Sequence, residues 1–188
     1  TNFIHGGGDL FVSGAEIGWD LDLQNHGRTF FENTLQGNFV ADDAATYTVN
    51  AAAGSIFDGL SSLTFSNGSA FSQLDGQMYD VATPDVIAPQ AGAVSALTYG
   101  GSAGTAAIQA SGTGGTGKIV MFGFPFDAIN RASRRQTVLG DILSFFGAAI
   151  AIGTARSGTA VHPAVPFTAS HGVRCRINRR RLRHSTPG

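Results

Sequence analysis

Apolar residues recur at helical spacing through Val138, Leu139, Ile142, Leu143, Phe145 and Phe146, and Gly147 ends the series. A run with that period predicts a helix over residues 133–146, opened by the capping-box pattern of Ser133 with Gln136. Its apolar face is broad, so the helix must lie flat on a wide apolar surface. A sheet meets that need, and a layered α/β domain follows more naturally than a pure sandwich of sheets.

The rest of the chain supplies such a sheet. A short apolar run at Leu10, Phe11 and Val12 is entered from three glycines and left through Gly14, which predicts a buried strand feeding a tight turn. Thr29 with Glu32 forms a second capping-box pattern, and Phe30, Phe31 and Leu35 give the stripe of a short amphipathic helix that Gly37 stops. Residues 39–40, 47–49, 63–65, 94–99, 106–110 and 119–124 are β-leaning runs separated by turn residues. The middle is therefore strand-rich and loop-rich, and no fixed period suggests a solenoid.

Length and charge sharpen this. At 188 residues and 43% hydrophobic content the chain fits one domain with a real core. No stretch approaches the roughly 18 to 20 apolar residues that span a bilayer, so no membrane partner is expected. Residues 1–170 carry six basic residues and all 13 acidic ones, a net of −7, whereas the last 18 residues carry six arginines and no acid. From Gly147 onward no helix or strand period survives. We expect an ordered body over residues 1–147 and an irregular basic tail over 148–188 that resembles out-of-frame read-through more than an evolved arm. Lacking interleaved aromatics or a second basic patch, the tail implies no nucleic-acid partner. The single cysteine, Cys175, lies in it, so neither a disulfide framework nor a multi-cysteine metal site is available. One lysine, Lys118, among abundant Gly, Ala, Ser, Thr and Asn is the composition of many exported bacterial proteins, which points to an extracellular or periplasmic location. Asn67-Gly68-Ser69 fits a glycosylation sequon but is also ordinary turn chemistry.

The string running from Gly7-Gly8-Asp9-Leu10 through Gly14-Ala15-Glu16-Ile17-Gly18-Trp19-Asp20-Leu21 resembles the central motif of class I glutamine amidotransferase-like domains appended to secreted bacterial hydrolases, xanthan-lyase-like and peptidase-like proteins among them. The likeness continues at Phe39-Val40-Ala41-Asp42-Asp43, Pro84-Asp85-Val86-Ile87 and residues 120–129, and covers about residues 5–147. It implies a flavodoxin-like three-layer α/β sandwich of which this chain holds the second half. The βα units before the elbow strand would then precede Thr1, leaving the strand at Leu10 with an open flank and the chain prone to self-association or to pairing with a neighbouring domain.

In active members a strand runs into a Gly-x-Cys-x-Gly elbow that lifts a thiolate onto a helix N-terminus. Here the matching turn is Gly14-Ala15-Glu16-Ile17-Gly18, with glutamate at the nucleophile position, and Phe124-Pro125-Phe126-Asp127 stands where the family has its His-Pro-Glu. A carboxylate cannot replace the thiol and the histidine base is missing, so glutaminase activity is not expected.

Other constellations are weighed against plainer roles. Glu16, Asp20 and Asp22 beside Trp19 are the carboxylates and aromatic platform that glycoside hydrolysis would use, with His26 as a further substrate contact; equally, Glu16 could cap the following helix and the aspartates could be loop carboxylates. Residues 20–27 echo a calcium loop but lack its glycine at the sixth place and its glutamate at the twelfth, where Phe31 stands. Asp42 and Asp43 are better read as a turn than as ligands. His5-Gly6-Gly7-Gly8 matches the oxyanion string of certain esterases, without the downstream Gly-x-Ser-x-Gly elbow that string needs. No phosphate loop or dinucleotide fingerprint occurs, and neither a cofactor nor a metal is expected. Two readings result: a catalytically degenerate amidotransferase-like structural or interaction module of a larger exported hydrolase, or a glycosidase-like hydrolase using Glu16 with Asp20 or Asp22 on a carbohydrate.

Overall fold

The computed structural model describes residues 2–65, 81–90, 92–112, 114 and 116–148, all within a unit spanning residues 1–153. Asn67, Cys175 and the expected basic tail beyond Ala148 lie outside the described residues.

Helix α1 (Asn2–His5) leads into β1 (Leu10–Ser13). The chain then winds as a π-helix over Trp19–Leu23, the Gln24 amide donating five residues back to the Trp19 carbonyl at 2.9 Å. There follow α2 (Arg28–Asn33), β2 (Gly37–Ala41), β3 (Thr48–Ala51), β4 (Leu63–Thr64), β5 (Val86–Pro89), β6 (Ala93–Tyr99), β7 (Thr105–Ala110), β8 (Ile119–Phe122) and α3 (Ala132–Phe145). The strands form one curled mixed sheet in the order β1-β8-β7-β6-β3-β4, with β5 joining β2 to β7. β1 runs parallel to β8, Leu10 opposite Ile119 and Ser13 opposite Phe122; the other pairings are antiparallel. The protein is mixed α/β and strand-rich with few helices.

Alternation along the central strands divides the core in two, because successive side chains leave opposite faces of a sheet. Val120 and Phe122 of β8 join Leu97, Tyr99, Phe124 and Ile142 on one face, while Ile119 and Met121 join Phe31, Leu35 and Ile108 on the other. β1 shares in both: Phe11 packs on the first cluster, Leu10 and Val12 on the second. Lys118 ties the end of α3 to the sheet, its Nζ donating to the Phe145 carbonyl while its backbone amide donates to Asp9 Oδ1 at 2.7 Å.

Several expectations need correction. Neither capping box forms: α2 starts after Gly27 and α3 after Arg131, in both cases without a side-chain cap. At α3 the entering chain is held by tertiary contacts, the Asn130 amide donating to the Thr64 carbonyl and Arg135 Nη1 to the Ile129 carbonyl, which leave Arg131 at φ 68° in the left-handed region. The buried stripe of α3 is also narrower than its periodicity suggested, since Val138 and Ile142 are fully buried but Leu139 is 39% exposed. β8 stops at Phe122 rather than running to Phe124. β5 had no strand signal of its own, because its three-residue apolar core lies between Pro84 and Pro89.

Candidate functional site

β1 ends at the carboxyl edge of its parallel pair with β8, the kind of edge where open α/β sheets place their ligands. From Ser13 the chain turns through Gly14, Ala15 and Glu16 into the helical segment that becomes the π-helix. Left-handed φ among described non-glycine residues falls at Asn25, Gln36, Ala45, Ser102 and Arg131, and not at the elbow. Glu16 is exposed, and its Oε1 accepts a hydrogen bond from Thr83 Oγ1 rather than capping the helix behind it.

The cap comes from elsewhere. Asp85, in the loop entering β5, places Oδ2 2.7 Å from the Gly18 amide and 3.3 Å from the Trp19 amide. Its own amide donates to the Ala15 carbonyl at 3.2 Å and its carbonyl accepts from Tyr99 Oη at 3.0 Å, so the residue is fastened on both sides. Gly123 leaves the room for this, since a β-carbon there would strike the Asp85 carbonyl. Asp85 is 0% exposed and its Oδ1 has no hydrogen-bond partner. Burial is the main reason its carboxyl is pushed up to about 7; the two amides oppose that shift, and the charges of Glu16 and Asp42 add to it. Burial likewise pushes the Tyr99 phenol up, reinforced by Asp85 and Asp43.

The other sequence-predicted residues form a second cluster. Asp22 is buried; its Oδ1 accepts from Arg28 Nε at 2.9 Å and its Oδ2 from the Phe39 amide at 2.8 Å. Those bonds pin the π-helix to α2 and β2, and they occupy both carboxylate oxygens. Asp20 Oδ1 lies 2.8 Å from His26 Nδ1 in an exposed pair. Trp19 is half-buried, and its backbone amide rather than its ring enters the elbow network. Among the described residues no group of three or more His, Cys, Asp or Glu side chains could hold a metal ion. Asp43 makes the turn expected of it, Oδ1 accepting from the Ala45 amide at 2.7 Å. The His5-Gly6-Gly7-Gly8 amides offer no oxyanion cradle, because those of Gly6, Gly7 and Gly8 donate to carbonyls of Asn2, Ile4 and Phe3.

Asp85, within Pro84-Asp85-Val86-Ile87, was not among the candidate site residues read from the sequence. The signal was present as one acid between Pro84 and the apolar Val86 and Ile87, a setting in which a carboxylate must find donors or stay protonated. Compared with models of known protein families and with curated proteins, the chain matches none.

Proposed function

We propose that this chain is a catalytically degenerate amidotransferase-like module, serving a structural or interaction role within a larger exported hydrolase. On the resemblance already given, residues 5–147 correspond to the second half of a flavodoxin-like three-layer domain, and the parallel β1–β8 pair with an elbow at its carboxyl edge is in keeping with that. The observation that carries the reading is the Asp85 carboxylate on the amides of Gly18 and Trp19. A helix start at an elbow is useful to acyl-transfer chemistry because its free amides stabilise developing negative charge. Here those donors are already taken by a buried side chain of the same chain. With glutamate at the nucleophile position and no histidine at Phe124, the turn has neither reagent of that family's chemistry.

A second reading keeps one supporting observation. Glu16 and Asp42 both act on the ionisation of Asp85, so acidic groups converge at this edge. A glycosidase-like hydrolase would use exposed Glu16 as nucleophile or base and exposed Asp20 as its acid, since both carboxylate oxygens of Asp22 are committed to Arg28 and Phe39. A hydrolase panel of glycosides, esters and amides on the wild type and Glu16→Gln separates the two. The module reading expects no turnover from either protein, and turnover lost in Glu16→Gln would replace it with the hydrolase. For partners we propose self-association or a neighbouring domain, and an extracellular or periplasmic setting.

A further inference from the structure

Away from the elbow, a groove of about 560 Å³ opens beside α1 and α2, lined among others by His5, Asn25, His26, Arg28, Thr29 and Asn33. Its charged side chains come largely compensated. Asp20 stands against Nδ1 of His26, and Asp22 takes Nε of Arg28 while the Asp22 carbonyl takes Nη2 at 2.7 Å. What these pairs leave over is hydrogen-bonding capacity without matching net charge. Nε2 of His26, Nη1 of Arg28, the side-chain amides of Asn25 and Asn33 and the Thr29 hydroxyl make no hydrogen bond with another described residue. Phe30 adds an aromatic side chain to the wall, anchored on the core cluster that contains Phe31 and Leu35.

We propose that this groove binds an uncharged saccharide. A sugar hydroxyl both donates and accepts, and so does a side-chain amide, so Asn25 and Asn33 can each engage a pair of neighbouring hydroxyls. Hydrogen bonds to Asp20 and Asp22 orient His26 and Arg28 before any ligand arrives, which lessens the ordering that free side chains would need on binding. Phe30 can meet the C–H face of a pyranose. An anionic ligand would want cations with no carboxylate at their backs, and Arg28 has Asp22 at its back. The inference does not depend on whether Glu16 has a catalytic role.

The test is titration of the full chain with maltotriose, cellotriose and mannotriose, followed by isothermal calorimetry or saturation-transfer NMR, with glucose 1-phosphate as the charged comparator. Asn33→Ala and His26→Ala change exposed side chains, and circular dichroism would verify that both variants remain folded. Saturable binding of at least one neutral trisaccharide, weakened about tenfold in each variant as loss of one or two hydrogen bonds implies, is the expected result. No saturable response from any of the three at millimolar concentrations would overturn the proposal. So would binding that both variants leave unchanged, and so would a preference for glucose 1-phosphate.

Discussion

Asp85 meets two opposed demands. Its Oδ2 finds two amides that favour the charged form, yet full burial and the acidic neighbours Glu16 and Asp42 favour the neutral one, and the balance falls at about 7 rather than 3.8. The sign of the stability effect follows. Between those values the folded protein holds a proton on Asp85 that the unfolded chain has released, so stability is full below about pH 4 and falls as pH rises to about 7. Urea midpoints measured across that window should show a downward contribution that Asp85→Asn removes, because asparagine keeps an acceptor for Gly18 and cannot titrate. An identical slope in both proteins would contradict it. Asp85→Ala should cost about 1–3 kcal/mol at acid pH, where it leaves the Gly18 and Trp19 amides unpaired. None of this was legible locally, because Asp85 lies 67 residues from Gly18 and no periodicity links them. Asp22 shows the same limit: its nearness to Glu16 in the sequence suggested a catalytic pair, while the Phe39 amide that helps to occupy it comes from β2.

At the scale of elements, what could be read from the sequence was what burial writes locally. β1, β3, β6, β7 and α3 all fall within a residue or two of expectation, because each carries enough apolar residues at a period of two or of 3.6 to declare its own geometry. Helix starts were not so readable. The Ser133/Gln136 pattern is a local competitor that lost to the tertiary hold on Asn130 and Arg135, and α3 begins one residue earlier. The narrow stripe of α3 gives a direct check. Ile142→Ala should cost about 2–5 kcal/mol by leaving a cavity beneath the helix, while Leu139→Ala, on its more exposed flank, should cost well under half as much. Equal losses in thermal denaturation would mean that the apolar face is as broad as the sequence suggested.

For the whole molecule, β1 is the element that most needs a neighbour. It contributes side chains to both cores, as an interior parallel strand does, yet among the described strands only β8 pairs with it. The backbone donors and acceptors on its other flank are a template for another strand. Light scattering at high micromolar concentration should therefore report a dimer or larger species, and a strictly monomeric protein would contradict that expectation. β1 also leads into the elbow, so under the proposed module reading one fold position carries two statements, that it recruits a partner and that it does not catalyse. The second is the central claim, and the panel of glycosides, esters and amides on wild type and Glu16→Gln tests it most directly. The account predicts rates indistinguishable from the blank for both proteins; turnover in the wild type that Glu16→Gln reduces about a hundredfold with folding intact would contradict it.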